Sequence, residues 1–378
     1  CRAGTTAGKS RDAAAGTLAA SASGGFVPHR WPDPAALIPF IMPALAHCRR
    51  WAVCLLALVS AATLCAAPIK MGTLAPVGSS YHKILQGLGE TWKRESGGAV
   101  ELKIYAGGKA GGEAEMVGLM MGNSLQAAVL TAVGLGEVDR SAKGLQSLPM
   151  AFESLEEVDY VGEKLQPRLE EILAQKGFVV LFWTDVGWVR FFANQPVMTP
   201  DDLRKLRLFT WVGDSEQMEI VKSAGFNLVA IETADIVPSL QTGLIDAVPM
   251  PPFFALAGQV DKRAPYMLEL NYAPLVGACV VNKKTWDALP SELRATLMAS
   301  ARAAGREMKA TGRRESAESE AAMVRRGLTI AKPSPEIVAE WRKMAEAQYP
   351  KIRGRMIPAD VFDAALRSIQ EYRAQPHP

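Results

Sequence analysis

TPDDLRKLRLFTWVGD, residues 199–214, passes from a helix start into a strand with almost nothing between them. Thr199 is an N-cap residue, Pro200 fits the first helical position, and Asp202 stands three residues after the cap, the pattern that opens a helix. The LRLFTW that follows alternates instead. As a strand it puts Lys205, Arg207, Phe209 and Trp211 on one face and Leu206, Leu208 and Thr210 on the other. One face therefore changes from cationic to aromatic along its length.

The same passage from helix to strand recurs along the chain. Short apolar runs, among them IKMGT, VELKIY, AAVLT, FVVLFWT, VRFFA, LRLFT, FNLVAI and GACVVN, alternate with longer helical patterns, the rhythm of an α/β protein with buried strands. Ser154 with Glu157 forms a second capping box, and Ser334-Pro335-Glu336 opens another helix. From Ser291 to Arg326 a proline-free stretch rich in Ala, Arg, Glu and Met predicts several joined helical turns or one very long helix spanning domains. The loop AGGKAGG, Ala106–Gly112, is read as turn glycines between a strand and a helix, because no Lys-Ser or Lys-Thr pair follows at P-loop spacing.

A chain of 378 residues exceeds the roughly 100 to 200 of one domain, so two are expected. Its 49% hydrophobic and 21% charged residues are ordinary for a globular protein. The first 66 residues hold six Lys or Arg and two Asp or Glu, leaving 36 cations against 37 anions for the rest. The small positive charge belongs to the leader, and no basic footprint argues for nucleic acid as a partner.

Met42, Arg49-Arg50, the apolar run WAVCLLALVSAATL and the small residues near Ala66 form a signal-peptide layout, assigned to 42–67, with export to the periplasm. The run is short for a membrane span. Residues 1–41, rich in Ala, Gly and Ser, are expected to be disordered or an overcalled N-terminal extension. Four of the five cysteines, Cys1, Cys48, Cys54 and Cys65, precede residue 67, so Cys279 is expected to be a buried, inert thiol without an internal disulfide partner.

Chemistry for catalysis is thin. His82 and His377 are the histidines beyond the leader, and there is no H-E-x-x-H, G-x-S-x-G, C-x-x-C or complete dinucleotide-binding glycine pattern. No metal site, cofactor or catalytic role is expected. Aromatic residues do cluster mid-chain: Trp183, Trp188, Phe191, Phe192, Phe209, Trp211, Phe253 and Phe254. Most suit a core, but Trp188 and Trp211 stand beside glycines at expected strand edges, where ligand sites of open α/β sheets lie.

Five segments, GTLAPVGSSYHK, GGAVELKIYAGGKAGGEAEMV, LPMAFES, TPDDLRKLRL and LQTGLIDAVPMPP, occur in an order that resembles the solute-binding proteins of tripartite ATP-independent periplasmic (TRAP) transporters, from about Met71 to Arg326. The resemblance implies a bilobed α/β fold with a ligand cleft between its lobes, closure on binding, and delivery of a small-molecule ligand to small and large membrane subunits. The lobes are assigned to 68–189 plus 276–315 and to 190–275 plus 316–378, in a monomer or weak dimer. The family pattern implies an arginine that pairs with the ligand carboxylate at the position held by Phe209, a second at Val189 and a polar Asn at Met250. Arg190 and Arg207 lie one residue away, and such an offset turns a strand side chain to the other face, so they are not read as substitutes. The expected ligand is an organic solute, an acid with a sizeable apolar part. Expected cleft residues are Ser79, Tyr81, His82, Thr131, Trp183, Trp188, Phe209, Trp211, Asp235 and Met250. Capping of the following helix is the alternative for Tyr81 and His82, and fixing its own turn the expectation for Asp246. A module signalling to a membrane receptor and a periplasmic enzyme on the same scaffold are the rival functions.

Overall fold

A computed structural model describes residues 68–376 other than residue 213. The extension 1–41, the signal peptide 42–67 and His377 lie outside the described residues. Among those described, nine strands form one sheet: β1 Ile69–Thr73, β2 Leu102–Tyr105, β3 Ala127–Thr131, β4 Phe178–Ala193, β5 Arg207–Trp211, β6 Asn227–Ile231, β7 Ala247–Met250, β8 Tyr266–Asn282 and β9 Thr329–Ala331. Their order is β2-β1-β3-β8-β4-β7-β5-β6, with β9 paired to β8. The architecture is a two-lobed α/β fold, with parallel β2-β1-β3 on one side and parallel β7-β5-β6 on the other. The long antiparallel pair β4 and β8 runs through both.

That pair departs from the expectation of separate strands FVVLFWT and VRFFA, since 178–193 is one strand. Its register against β8 shifts at three places, between Val180 and Phe182, Asp185 and Trp188, and Val189 and Phe191. Gly187, at φ +83°, provides the left-handed conformation that the middle irregularity requires. The bulges re-aim side chains. Val186 and Val189 face a core with Tyr81, Leu85 and Phe253, whereas Trp183 and Trp188 pack on the opposite core with Leu145, Leu165 and Val276.

Helices cover both sheet faces. Ser80–Glu95 buries Tyr81, Leu85, Leu88 and Trp92, the stripe its helical spacing dictates. The long segment is one helix, Ser291–Val324, of 34 residues, about 50 Å at ~1.5 Å per residue. Leu297, Ala301 and Met308 join the core around β1, and Met323 joins the core around β5 and β7, so one rod is anchored in both halves. Two glycines let it approach: a Cβ on Gly305 would lie 2.5 Å from Phe182 Cβ, and one on Gly312 2.2 Å from the Tyr81 hydroxyl.

The helix starts follow their local chemistry. Thr199 Oγ1 accepts from Asp202 N at 3.3 Å and the Asp202 carboxylate accepts from Thr199 N at 3.0 Å, a complete capping box. Ser154 Oγ accepts from Glu157 N, but Glu157 reaches back to Glu153 N rather than to Ser154, so that box is shifted by one residue. Hydrogen bonds from Thr199 hold the Asp202 carboxyl down at about 2. The sign follows: its contribution is present above the unfolded aspartate value of ~4 and is lost as pH falls towards about 2. Thr199→Ala is expected to cost ~1 kcal/mol in urea unfolding, and a change below ~0.3 kcal/mol would show that the cap is redundant.

Candidate functional site

Most strand ends of the parallel sets open on one cavity of about 580 Å³. Residues 73–76 after β1, Thr131 at the end of β3, Trp211 of β5, Glu232 after β6 and residues 249–251 at the end of β7 all border it, and Thr184–Val186 of β4 with Leu275–Gly277 of β8 form its floor. This is the place where open α/β sheets bind ligands, outside the carboxyl ends of the strands. The floor is tight: a Cβ on Gly277 would lie 2.4 Å from the Leu130 carbonyl oxygen.

The wall is mainly apolar. Phe209, 1% exposed, lies on the same face of β5 as Trp211, their rings at 5.0 Å edge to face, and Met250 and Ile236 join them in one core. Trp211 Nε1 donates to Thr233 Oγ1 at 3.3 Å, which fixes its ring at the cavity. Tyr81 and Phe254 contribute from the other side, their rings 6.3 Å apart and nearly perpendicular. Tyr81 gives its one hydroxyl proton to the Asp185 carbonyl at 2.8 Å. Beside it the Thr184 hydroxyl oxygen is buried without a hydrogen-bond partner among the described residues.

Polar groups of the wall are largely engaged. Glu113, buried, accepts from Thr131 N at 2.7 Å, Thr131 Oγ1 at 2.5 Å and Gly134 N at 2.9 Å. Burial pushes its carboxyl above the ordinary glutamate value, against the pull of those hydrogen bonds. Asp185, 2% exposed, receives both Nε and Nη2 of Arg313 at 2.8 and 2.7 Å, and Arg313 also grips Asp159.

Six expected residues, Tyr81, Thr131, Phe209, Trp211, Asp235 and Met250, stand on this wall. Four do not. Ser79 caps the helix Ser80–Glu95 by accepting from His82 N at 3.3 Å, and His82 Nδ1 accepts from Gly78 N at 3.1 Å, the capping alternative for that segment. Trp183 donates Nε1 to Glu170 at 3.0 Å and Trp188 lies mid-strand, both turned to the far side of the sheet by the bulges. Arg207 forms a two-pronged pair with Asp246, Nε and Nη2 at 2.7 and 2.8 Å, which holds the Asp246 carboxyl below its usual range. Arg190 engages Asn271 and Glu320. Neither arginine borders the cavity. Glu113 and Glu115 are wall residues missed in the sequence; nothing local marks them, because the loop 106–112 before them, with positive φ at Gly107, Gly108 and Gly111, reads as plain turn glycines, and Glu232 after β6 borders the cavity as well.

Three comparisons bear on this arrangement. The pattern of the bacterial extracellular solute-binding proteins, family 7 (DctP), matches residues 71–354. The C4-dicarboxylate-binding periplasmic protein DctP of Rhodobacter capsulatus is 25% identical over 55% of this chain and 62% of its own length, so less than two thirds of that relative is matched. Two crystal structures share the fold: a TRAP periplasmic solute-binding protein of Ralstonia eutropha with bound (S)-2-acetolactate, TM-score 0.75 and 20% identity over 80% of this chain and 99% of that one, and DctP7 of Bordetella pertussis binding pyroglutamic acid, TM-score 0.74 and 18% identity over 81% and 100%. Among the described residues no helix is long and apolar enough to cross a membrane.

Proposed function

The chain belongs to the bacterial extracellular solute-binding proteins, family 7, and from that premise we propose that it captures a small organic solute, an acid with a sizeable apolar part, in this cavity and delivers it to the small and large membrane subunits of a TRAP transporter. The observation that carries the reading is the wall itself, where Phe209, Trp211, Met250 and Phe254 enclose about 580 Å³ at the strand ends. Burying a ring or an alkyl body there is favourable, while burying an unpaired carboxylate is costly. The organic acids bound by the relatives support the acid half of this reading, and the apolar wall is the argument for its other half.

Export through residues 42–67, action without catalysis, and closure of lobes 68–189 plus 276–315 and 190–275 plus 316–378 around the solute belong to the same proposal. A cavity walled from both halves of the sheet buries a ligand that neither half covers alone. The test is mass spectrometry of the small molecule released when the chain, purified from its native host, is denatured. One solute with an aromatic or branched aliphatic body is expected; release of succinate or another C4 dicarboxylate would overturn the reading. Stacking on Trp211 contributes ~1 kcal/mol beyond area burial, so Trp211→Ala is expected to weaken the released solute about fivefold or more by calorimetry. Unchanged affinity would remove Trp211 from the site.

A further inference from the structure

We infer that the solute's carboxylate is held at the mouth of the cavity by Lys109 and the first-turn amides of the helix Glu113–Met121, and that Thr184 on the floor takes an oxygen at the far end of its apolar body; this rests on the cavity being the solute site. Phe209 stands where the family pattern implies a cation, Arg207 is committed to Asp246, and Arg190 to Asn271 and Glu320, so the acid head needs another partner. Lys109 lies between Gly108 and Gly111, both wall residues, is exposed, and forms no ion pair among the described residues. Its flexible four-carbon stem carries the ammonium over the loop.

The helix start beside it is open. Gly112 offers no side-chain cap, and the amides of Glu113, Ala114 and Glu115 have no acceptor among the described residues. Such amides, at the positive end of the helix dipole, suit a carboxylate. Thr184 gives an independent second point. Its Oγ1, in a residue 4% exposed, borders the same cavity and has no hydrogen-bond partner among the described residues. A buried hydroxyl in that state is completed by a ligand oxygen that donates to it or accepts from it. Register sets the span: Thr184 pairs with Gly277 and Gly277 with Thr131, whose N–H and hydroxyl hold Glu113, the first residue of the helix. Two strand spacings, ~10 Å, separate Thr184 from Thr131, so the pair of anchors fits an acid whose far oxygen lies across a ring or a chain of similar length, and not a compact one such as succinate.

Carboxylates of the wall bear on the same place. Glu113 is engaged by Thr131 and Gly134, and Asp185 by Arg313. Glu115 and Glu232 stand at the mouth: a Cβ on Gly111 would lie 1.9 Å from Glu115 Oε2, and one on Gly112 2.4 Å from Glu232 Oε2. A carboxylate from the opposite half of the sheet, that of Glu232, thus already lies against the open helix start without a hydrogen bond to it. The solute's carboxylate takes that place, and Glu232, which is exposed, turns out into water. Removing the Glu232 charge therefore strengthens the binding of an acid, the opposite of what a contact residue would show.

The experiment uses the full chain and the neutral fluorophore N-phenyl-1-naphthylamine as the apolar probe, at low ionic strength. Its displacement is measured with 3-phenylpropionate, 3-(4-hydroxyphenyl)propionate and 3-phenyl-1-propanol, and the probe's own affinity is measured again for each variant. The hydroxylated acid is expected to compete best, by about fivefold over 3-phenylpropionate. K109Q is expected to weaken both acids about fivefold and to leave the alcohol unchanged, E232Q to strengthen both acids about threefold, and T184V to remove most of the advantage of the hydroxylated acid. Acids unaffected by K109Q, an alcohol weakened as much as the acids, or acids weakened by E232Q would overturn the assignment of the carboxylate. A hydroxyl without advantage, or with an advantage unchanged in T184V, would overturn the assignment of Thr184. Each of these leaves the apolar cavity in place. A probe that does not bind, or binds equally to Phe254→Glu, would overturn the apolar-solute reading and the inference together.

Discussion

Replacing Lys143 with methionine is expected to destabilise the protein by about 3 to 5 kcal/mol, the largest loss from any single charge removal proposed here. Lys143 Nζ donates to Asp214 Oδ1 at 2.9 Å, and the two side chains are 6% and 2% exposed. Such a pair adds little net stability over an apolar pair, because both charges have been stripped of water. Taking away one member is another matter. Asp214 would keep a buried negative charge whose second oxygen, Oδ2, already has no hydrogen-bond partner among the described residues. Its remaining partner would be Gln217 N at 3.1 Å, at the start of the helix Ser215–Ser223. The pair also ties residues 140–145, beyond β3, to the stretch after β5, so its loss loosens the two sides of the sheet from each other. Urea unfolding of Lys143→Met is the measurement. The double variant Lys143→Met/Asp214→Asn, which keeps an N-cap side chain but removes the charge, is expected to recover at least half of the loss. A single-variant loss below ~1 kcal/mol would show that water reaches Asp214. Gly136 belongs to the same arrangement, since a Cβ there would lie 2.3 Å from Lys143 Cε; Gly136→Ala is expected to displace the lysine.

What could be read from the sequence was what local chemistry decides. The Thr199 capping box depends on four consecutive residues, and the helix Ser291–Val324 on a long absence of proline, so both are found where their residues predict them. The face alternation of Arg207, Phe209 and Trp211 holds for the same reason, although Lys205 ends the preceding helix instead of entering the strand. What could not be read depends on distant partners. Asp185 and Gly187 look like a break between two short strands, yet Asp185 is neutralised by Arg313, 128 residues away, and Gly187 is a bulge inside one strand. The first half of β8 hides similarly behind Glu269, Asn271 and Pro274, polar or strand-breaking residues tolerated by partners elsewhere. Because each bulge reverses a face, Trp183 and Trp188 could not be placed by alternation alone, whereas Phe209 and Trp211, on a short regular strand, could.

Phe209→Arg is expected to give the cavity an affinity for small carboxylates that the unchanged protein lacks. Phe209 occupies the position where resemblance to the family implies a carboxylate-pairing arginine, and it is both fully buried and on the cavity wall. A guanidinium there meets a ligand carboxylate in a mainly apolar surrounding, where a charge-assisted hydrogen bond contributes ~1.5 to 3 kcal/mol. That is about tenfold to a hundredfold in affinity. Two effects oppose it. The ring contact with Trp211 at 5.0 Å is lost, and Glu232 and Asp235, which border the same cavity, compete with the ligand for the new cation. The substitution is therefore expected to lower the melting temperature while it raises carboxylate binding, two changes that a merely damaged site would not combine. Phe209→Gln separates them, because it removes the same ring and adds no charge. Calorimetric titration with succinate should give measurable heat for Phe209→Arg and little for Phe209→Gln or the unchanged protein. Equal weak binding by both variants would show that the mouth carboxylates neutralise the arginine, a result that Phe209→Arg combined with E232Q is expected to reverse. Tight succinate binding by the unchanged protein would mean that a cation now held by another carboxylate, Arg190 or Arg207, turns into the cavity when ligand enters, and the apolar wall would not be what selects the solute.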